Sequence, residues 1–108
     1  MHGAGLFRAP TGGETTDFTE QLRVPALSIG TYSIPAGGAD DQTPHREDEV
    51  YVVTAGIARL VTDTGEAAVG PGDVIFVPKG EAHTFTDITQ DLSLLVLFAP
   101  AYTPPPGS

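Results

Sequence analysis

The sequence contains no cysteine, no tryptophan and a single methionine, and only five lysines and arginines stand against fourteen aspartates and glutamates. Without cysteine there is no disulfide framework and no thiolate metal site, so any metal ligands must be nitrogen or oxygen atoms. The net charge of −9 repels phosphate backbones, which argues against nucleic acid as a partner. Long hydrophobic runs are missing too. The longest, Leu92 to Ala101, is interrupted by Ser93 and Pro100 and falls short of the ~20 residues of a membrane span. No basic segment followed by an apolar one opens the chain. The expectation is a soluble cytoplasmic protein that does not enter a membrane. No amphipathic helical pattern and no internal repeat are visible.

What is present is a dense punctuation of Gly 13 and Pro 10, set singly between apolar runs, as turns between many strands would be. A length of 108 residues suits one domain. The chain divides into an N-terminal arm over 1–20, a β-domain over 21–101 and a Pro-rich tail over 102–108. Leu22 to Ile34 favours extended structure up to the turn signal at Pro35-Ala36-Gly37-Gly38. Glu49 to Ala55 is β-branched and aromatic, as a buried strand is. Gly56 separates it from Ile57 to Thr62, and Asp63-Thr64-Gly65-Glu66 has hairpin chemistry. Further strands are expected at Ala67 to Val69, Val74 to Val77 (wholly apolar), His83 to Ile88 and Leu92 to Ala99. Strands at roughly ten-residue spacing predict an all-β sandwich or barrel.

Three histidines occur. His2 lies in the arm, His45 opens the strand containing Glu49, and His83 opens a later strand. Each alone is ordinary at a strand end. Together with Glu49 they supply two imidazole nitrogens and a carboxylate, a donor set that suits Fe, Mn, Ni or Zn. On one straight strand His45 and Glu49 share a face but stand about 13 Å apart. A shared ion therefore requires a bend at Arg46-Glu47-Asp48. Glu47 and Asp48 are expected to be solvated.

Two spaced motifs make the reading specific. Gly37, His45, Glu49 and Gly56 fit the register G-x5-H-x-H-x3-E-x6-G, and Gly72, Pro78, Gly80 and His83 fit G-x5-P-x-G-x2-H-x3-N. In this the chain resembles the cupin family. The resemblance implies a double-stranded β-helix, or jelly-roll, barrel of six to eight strands, with His45, Glu49 and His83 as metal ligands. Two positions depart from the pattern: Thr43 stands for the first motif histidine and Asp87 for the closing asparagine. The fourth ligand position then falls to Gln42, to Thr43 or to water. Tyr51 and Phe85, which share strand parity with Glu49 and His83, are expected to line the cavity. With Thr43 and Asp87 they form the candidate substrate-binding set.

The resemblance implies a homodimer formed through edge strands and the arm. It also implies one divalent transition metal and a small-molecule substrate, hence an enzyme of the dioxygenase, isomerase or lyase type. The alternative is a non-catalytic module that binds a small ligand or sugar, since one fold serves both purposes.

Overall fold

The computed structural model describes residues 6, 16–40 and 45–103. Eight strands follow one another: β1 (Asp17–Val24), β2 (Leu27–Ile34), β3 (Asp48–Ala55), β4 (Ala58–Thr62), β5 (Gly65–Val69), β6 (Val74–Val77), β7 (His83–Thr86) and β8 (Leu92–Ala99). They form a five-stranded sheet in the order β1-β2-β8-β3-β6 and a three-stranded sheet in the order β5-β4-β7. Every pairing is antiparallel. The all-β double-stranded β-helix is therefore present, and no helix among the described residues is long and apolar enough to cross a membrane.

Alternation along the strands decides which side chains meet between the sheets. On β3 it turns Glu49, Tyr51 and Val53 inward, and on β8 Leu92, Leu94, Val96 and Phe98. Tyr32 and Ile34 of β2, Leu60 of β4 and Phe85 of β7 complete the centre of the core. Burying each such large side chain contributes about 1.5–3 kcal/mol.

Gly56 shows why glycine ends β3. Its φ is +93°, and a Cβ there would lie 2.3 Å from the Asp91 carbonyl oxygen. Only a residue without a side chain lets the chain pass the β8 approach so closely.

Two boundaries differ from the sequence reading. β1 starts at Asp17, inside the stretch assigned to the arm, because its backbone pairs with β2 from Asp17↔Ser33 onward. The extended stretch from Leu22 to Ile34 is really two strands joined by a tight turn at Pro25-Ala26. β6, though apolar throughout, is not buried throughout. Val74 and Phe76 are 68% and 61% exposed, because they face outward at the sheet edge while Val77 faces the core. Of the arm, only exposed Leu6 and residues 16–20 are among the described residues.

Candidate metal centre

Glu49 projects inward from β3, His83 stands at the first position of β7, and His45 precedes β3. The bend required between His45 and Glu49 is present. Arg46 and Glu47 are bent rather than extended, and β3 begins only at Asp48. The Gly80 amide donates to the His45 carbonyl at 2.8 Å, and the Lys79 amide donates to Asp48 Oδ1 at 3.0 Å. The Pro78-Lys79-Gly80 turn thus holds the bend and delivers His83 on the opposite side.

The three side chains converge. One ligand atom from each of His45, Glu49 and His83 lies within 4.8 Å of the others. Glu49 Oε1 is 3.1 Å from His83 Nε2 and 4.0 Å from His45 Nε2. The His83 and Glu49 side chains are each only 1% exposed. Yet the approach to His83 is poorly aligned, and neither Glu49 oxygen has a well-formed hydrogen bond. A buried carboxylate without hydrogen bonds is costly unless a cation compensates it. Two nitrogens and a carboxylate oxygen, this close and this dry, fit a divalent transition metal.

The surroundings prepare the donors. His83 Nδ1 lies 3.0 Å from the Glu81 carbonyl, a contact that calls for the proton on Nδ1 and leaves the Nε2 lone pair facing the cluster. The Tyr51 hydroxyl is 2.9 Å from that Nε2. Burial pulls the His83 pKa down, but contact with the Glu49 carboxylate and the Glu81 carbonyl outweighs it, so the net shift is upward. For His45 burial prevails over the pull of Glu49 and lowers the pKa. The Tyr102 hydroxyl is pushed up by burial and then by the negative charges of Glu47 and Glu49.

Tyr51 touches His83 as the parity argument expected, and Phe85 stacks edge-on against Tyr51 with ring centroids 5.0 Å apart. Asp87 does not join them. β7 ends at Thr86, and Asp87 is exposed with φ +49°, so the turn carries it away from the end of β7 that holds His83. Gln42 and Thr43 lie outside the described residues.

Glu47 reverses its expectation. It is 3% exposed, and its Oε2 accepts a hydrogen bond from the Thr103 amide at 2.9 Å. Asp40 was not singled out from the sequence, although it staples the barrel. Its Oδ1 accepts from the Tyr32 hydroxyl (2.7 Å), its Oδ2 from the Phe85 amide (2.9 Å), and its carbonyl from Thr84 Oγ1 (3.1 Å). Both residues sit in a run of charges that composition alone reads as surface.

Known proteins agree with this architecture. The chain is 41% identical over 93 residues, covering 86% of each chain, to an uncharacterized protein of Streptomyces coelicolor. Its fold is similar to that of the DMSP lyase DddQ from Ruegeria pomeroyi, with a TM-score of 0.73 and 22% identity over 80% of this chain; the match spans 47% of the lyase. It is also similar to KdgF from Halomonas sp., with a TM-score of 0.72, 18% identity and 82% of each chain covered. At these identities the two structures attest the fold alone. The Cupin domain family matches residues 30–99, from within β2 to the end of β8. With that match spanning both glycine-framed motifs, and with the two-sheet barrel that brings them together, the chain belongs to the cupin family.

Proposed function

We propose that this protein binds one divalent transition metal through His45, Glu49 and His83 and acts on a small organic molecule. The observation that carries the reading is Glu49, a carboxylate held at 1% exposure between two imidazoles, with no aligned hydrogen bond to either oxygen. A bound Fe, Mn, Ni or Zn ion supplies Lewis-acid polarisation of a substrate oxygen, and iron adds redox chemistry. Three protein ligands are the number that leaves positions open for substrate.

The chain's own residues supply the rest. The Glu81 carbonyl orients the His83 ring, and the buried walls formed by Phe98 and Phe85 keep bulk water out. The Tyr51 phenol stands at the donor cluster, where it can give or take a proton. The reaction type is of the dioxygenase, isomerase or lyase kind. One fold neighbour carries the name of a lyase, which supports including that reaction type in the reading.

The test is metal analysis. Protein stripped with chelator and exposed to Fe, Mn, Ni or Zn should regain one ion per chain, whereas His83→Ala should not. Full metal retention by His83→Ala removes the proposal. A preparation that takes no metal but binds a small ligand in its cavity would favour the non-catalytic module instead.

A further inference from the structure

Residues 101–103, which follow β8 and lead into the Pro-rich tail, are fastened across one side of the metal centre. Three successive backbone N–H groups are each engaged. Ala101 donates to the Pro25 carbonyl (3.4 Å), Tyr102 to Ser28 Oγ (2.9 Å) and Thr103 to Glu47 Oε2 (2.9 Å). Arg23 Nη2 also donates to the Tyr102 carbonyl. These anchors come from β1, from the turn after it, from β2 and from the bend before β3.

The fastening sets the Tyr102 ring against His45, at a centroid distance of 5.4 Å and nearly perpendicular, and against Phe98 at 4.8 Å. Phe98 covers another side of the same imidazole at 5.0 Å. Only 11% of the His45 side chain remains exposed. Glu47 holds the last of the three anchors. Although it lies between two metal-ligand positions in sequence, it is not within reach of the ligand cluster. Its Oε2 makes the clasp, while Oε1 is buried without a hydrogen bond.

We propose that Tyr102 is a specificity-determining residue of this site, a wall that limits the size of what reaches His45, and that Glu47 is the positioning residue that keeps it there. The consequence for ligand choice rests on the metal-site reading above; the wall itself does not. A backbone amide bonded to a buried carboxylate is a charge-assisted contact. Its loss shifts the balance between seated and released segment by about tenfold or more. Ala101, Tyr102 and Thr103 lie outside any strand, so no sheet ladder reinforces these contacts.

Two measurements on the full chain test this. In metal-free protein, carbethoxylation of His45 by diethylpyrocarbonate is followed by peptide mass. Glu47→Ala, Tyr102→Ala and Thr103→Pro should each accelerate it about tenfold or more. Glu47→Gln should accelerate it several-fold less than Glu47→Ala, because its amide oxygen still accepts the Thr103 N–H although the charge is lost. Thr103→Pro removes the donor at an exposed position, so it answers the question even if an alanine variant folds poorly. In Co(II)-loaded protein, the visible spectrum reports binding of azide and of 4-phenylimidazole. Tyr102→Ala should tighten the bulky ligand about tenfold and leave azide within about threefold.

Unchanged His45 reactivity in Tyr102→Ala and Thr103→Pro overturns the wall. A Glu47→Gln variant as reactive as Glu47→Ala overturns the positioning role of Glu47. Equal tightening of both ligands in Tyr102→Ala overturns the size selection. Failure of the parent protein to take up Co(II) counts against the metal reading, while the modification rates still decide the wall.

Discussion

Replacing Glu49 by glutamine separates a residue kept for structure from one kept for a cation. In metal-free protein the Glu49 carboxylate is buried, and its one charged contact that matters is His83 Nε2 at 3.1 Å. Two opposed effects follow. While His83 is protonated the pair is a buried ion pair, and breaking it costs about 3–5 kcal/mol. Once His83 is neutral, a carboxylate without hydrogen bonds remains, and its desolvation penalty is about 1–3 kcal/mol. The fold raises the His83 pKa above the ordinary 6.5. Its protonated ring therefore contributes stability that is complete below that value and disappears as pH rises through the folded-state pKa.

Glu49→Gln should accordingly be less stable than the parent below the ordinary 6.5 and more stable, by about 1–3 kcal/mol, at an alkaline pH above the folded-state His83 value. Urea denaturation of both proteins in chelator, with slopes compared for two-state consistency, measures the difference. Adding zinc at a hundred times its dissociation constant should stabilise the parent by about 2.7 kcal/mol and the variant far less. A variant less stable than the parent by more than about 1 kcal/mol at the alkaline pH would refute the reasoning, because Glu49 would then hold the fold together without a cation.

Metal uptake should itself depend on pH. Since His83 keeps its proton above the usual histidine range, a cation must displace that proton, and apparent affinity should fall as pH drops below the His83 value. Calorimetry in buffers of different ionisation enthalpy should detect proton release near neutrality, and pH-independent binding between about pH 6 and 8 would contradict it. At Gly56, where a positive φ coincides with a blocked Cβ position, alanine should cost at least ~2 kcal/mol. At Gly72, whose φ is +91° but whose Cβ position is open, alanine should cost only about 1 kcal/mol. Equal losses at the two sites in denaturant titration would show that the Asp91 approach is not tight.

The strand inventory and the ligand set were legible because both rest on local or fixed-offset patterns. β-branched runs between glycines and prolines marked β3, β6 and β8, and the two motif registers picked out His45, Glu49 and His83. Even the bend at Arg46 and Glu47 followed from the length of an extended residue against the reach of a metal ligand. Sequence periodicity, however, describes a residue's face only while its strand continues. Asp87 had the right parity and was lost to the site because β7 stops one residue earlier and the backbone turns. Val74 and Phe76 belong to a wholly apolar run and yet face outward, because β6 is a short edge strand with a partner on one side only.

Glu47 went the other way. A carboxylate in a charged run reads as solvated, and only the return of the chain at residues 101–103, more than fifty residues later, covers it and gives it a hydrogen bond. The amino-acid order determined that this chain would be a barrel and which three side chains offered themselves to a metal. The tertiary structure decided that those three meet in a dry place, and which other charges are buried beside them. Solvent exposure and the distance between remote residues are set by how distant segments pack, and no local pattern carries that information.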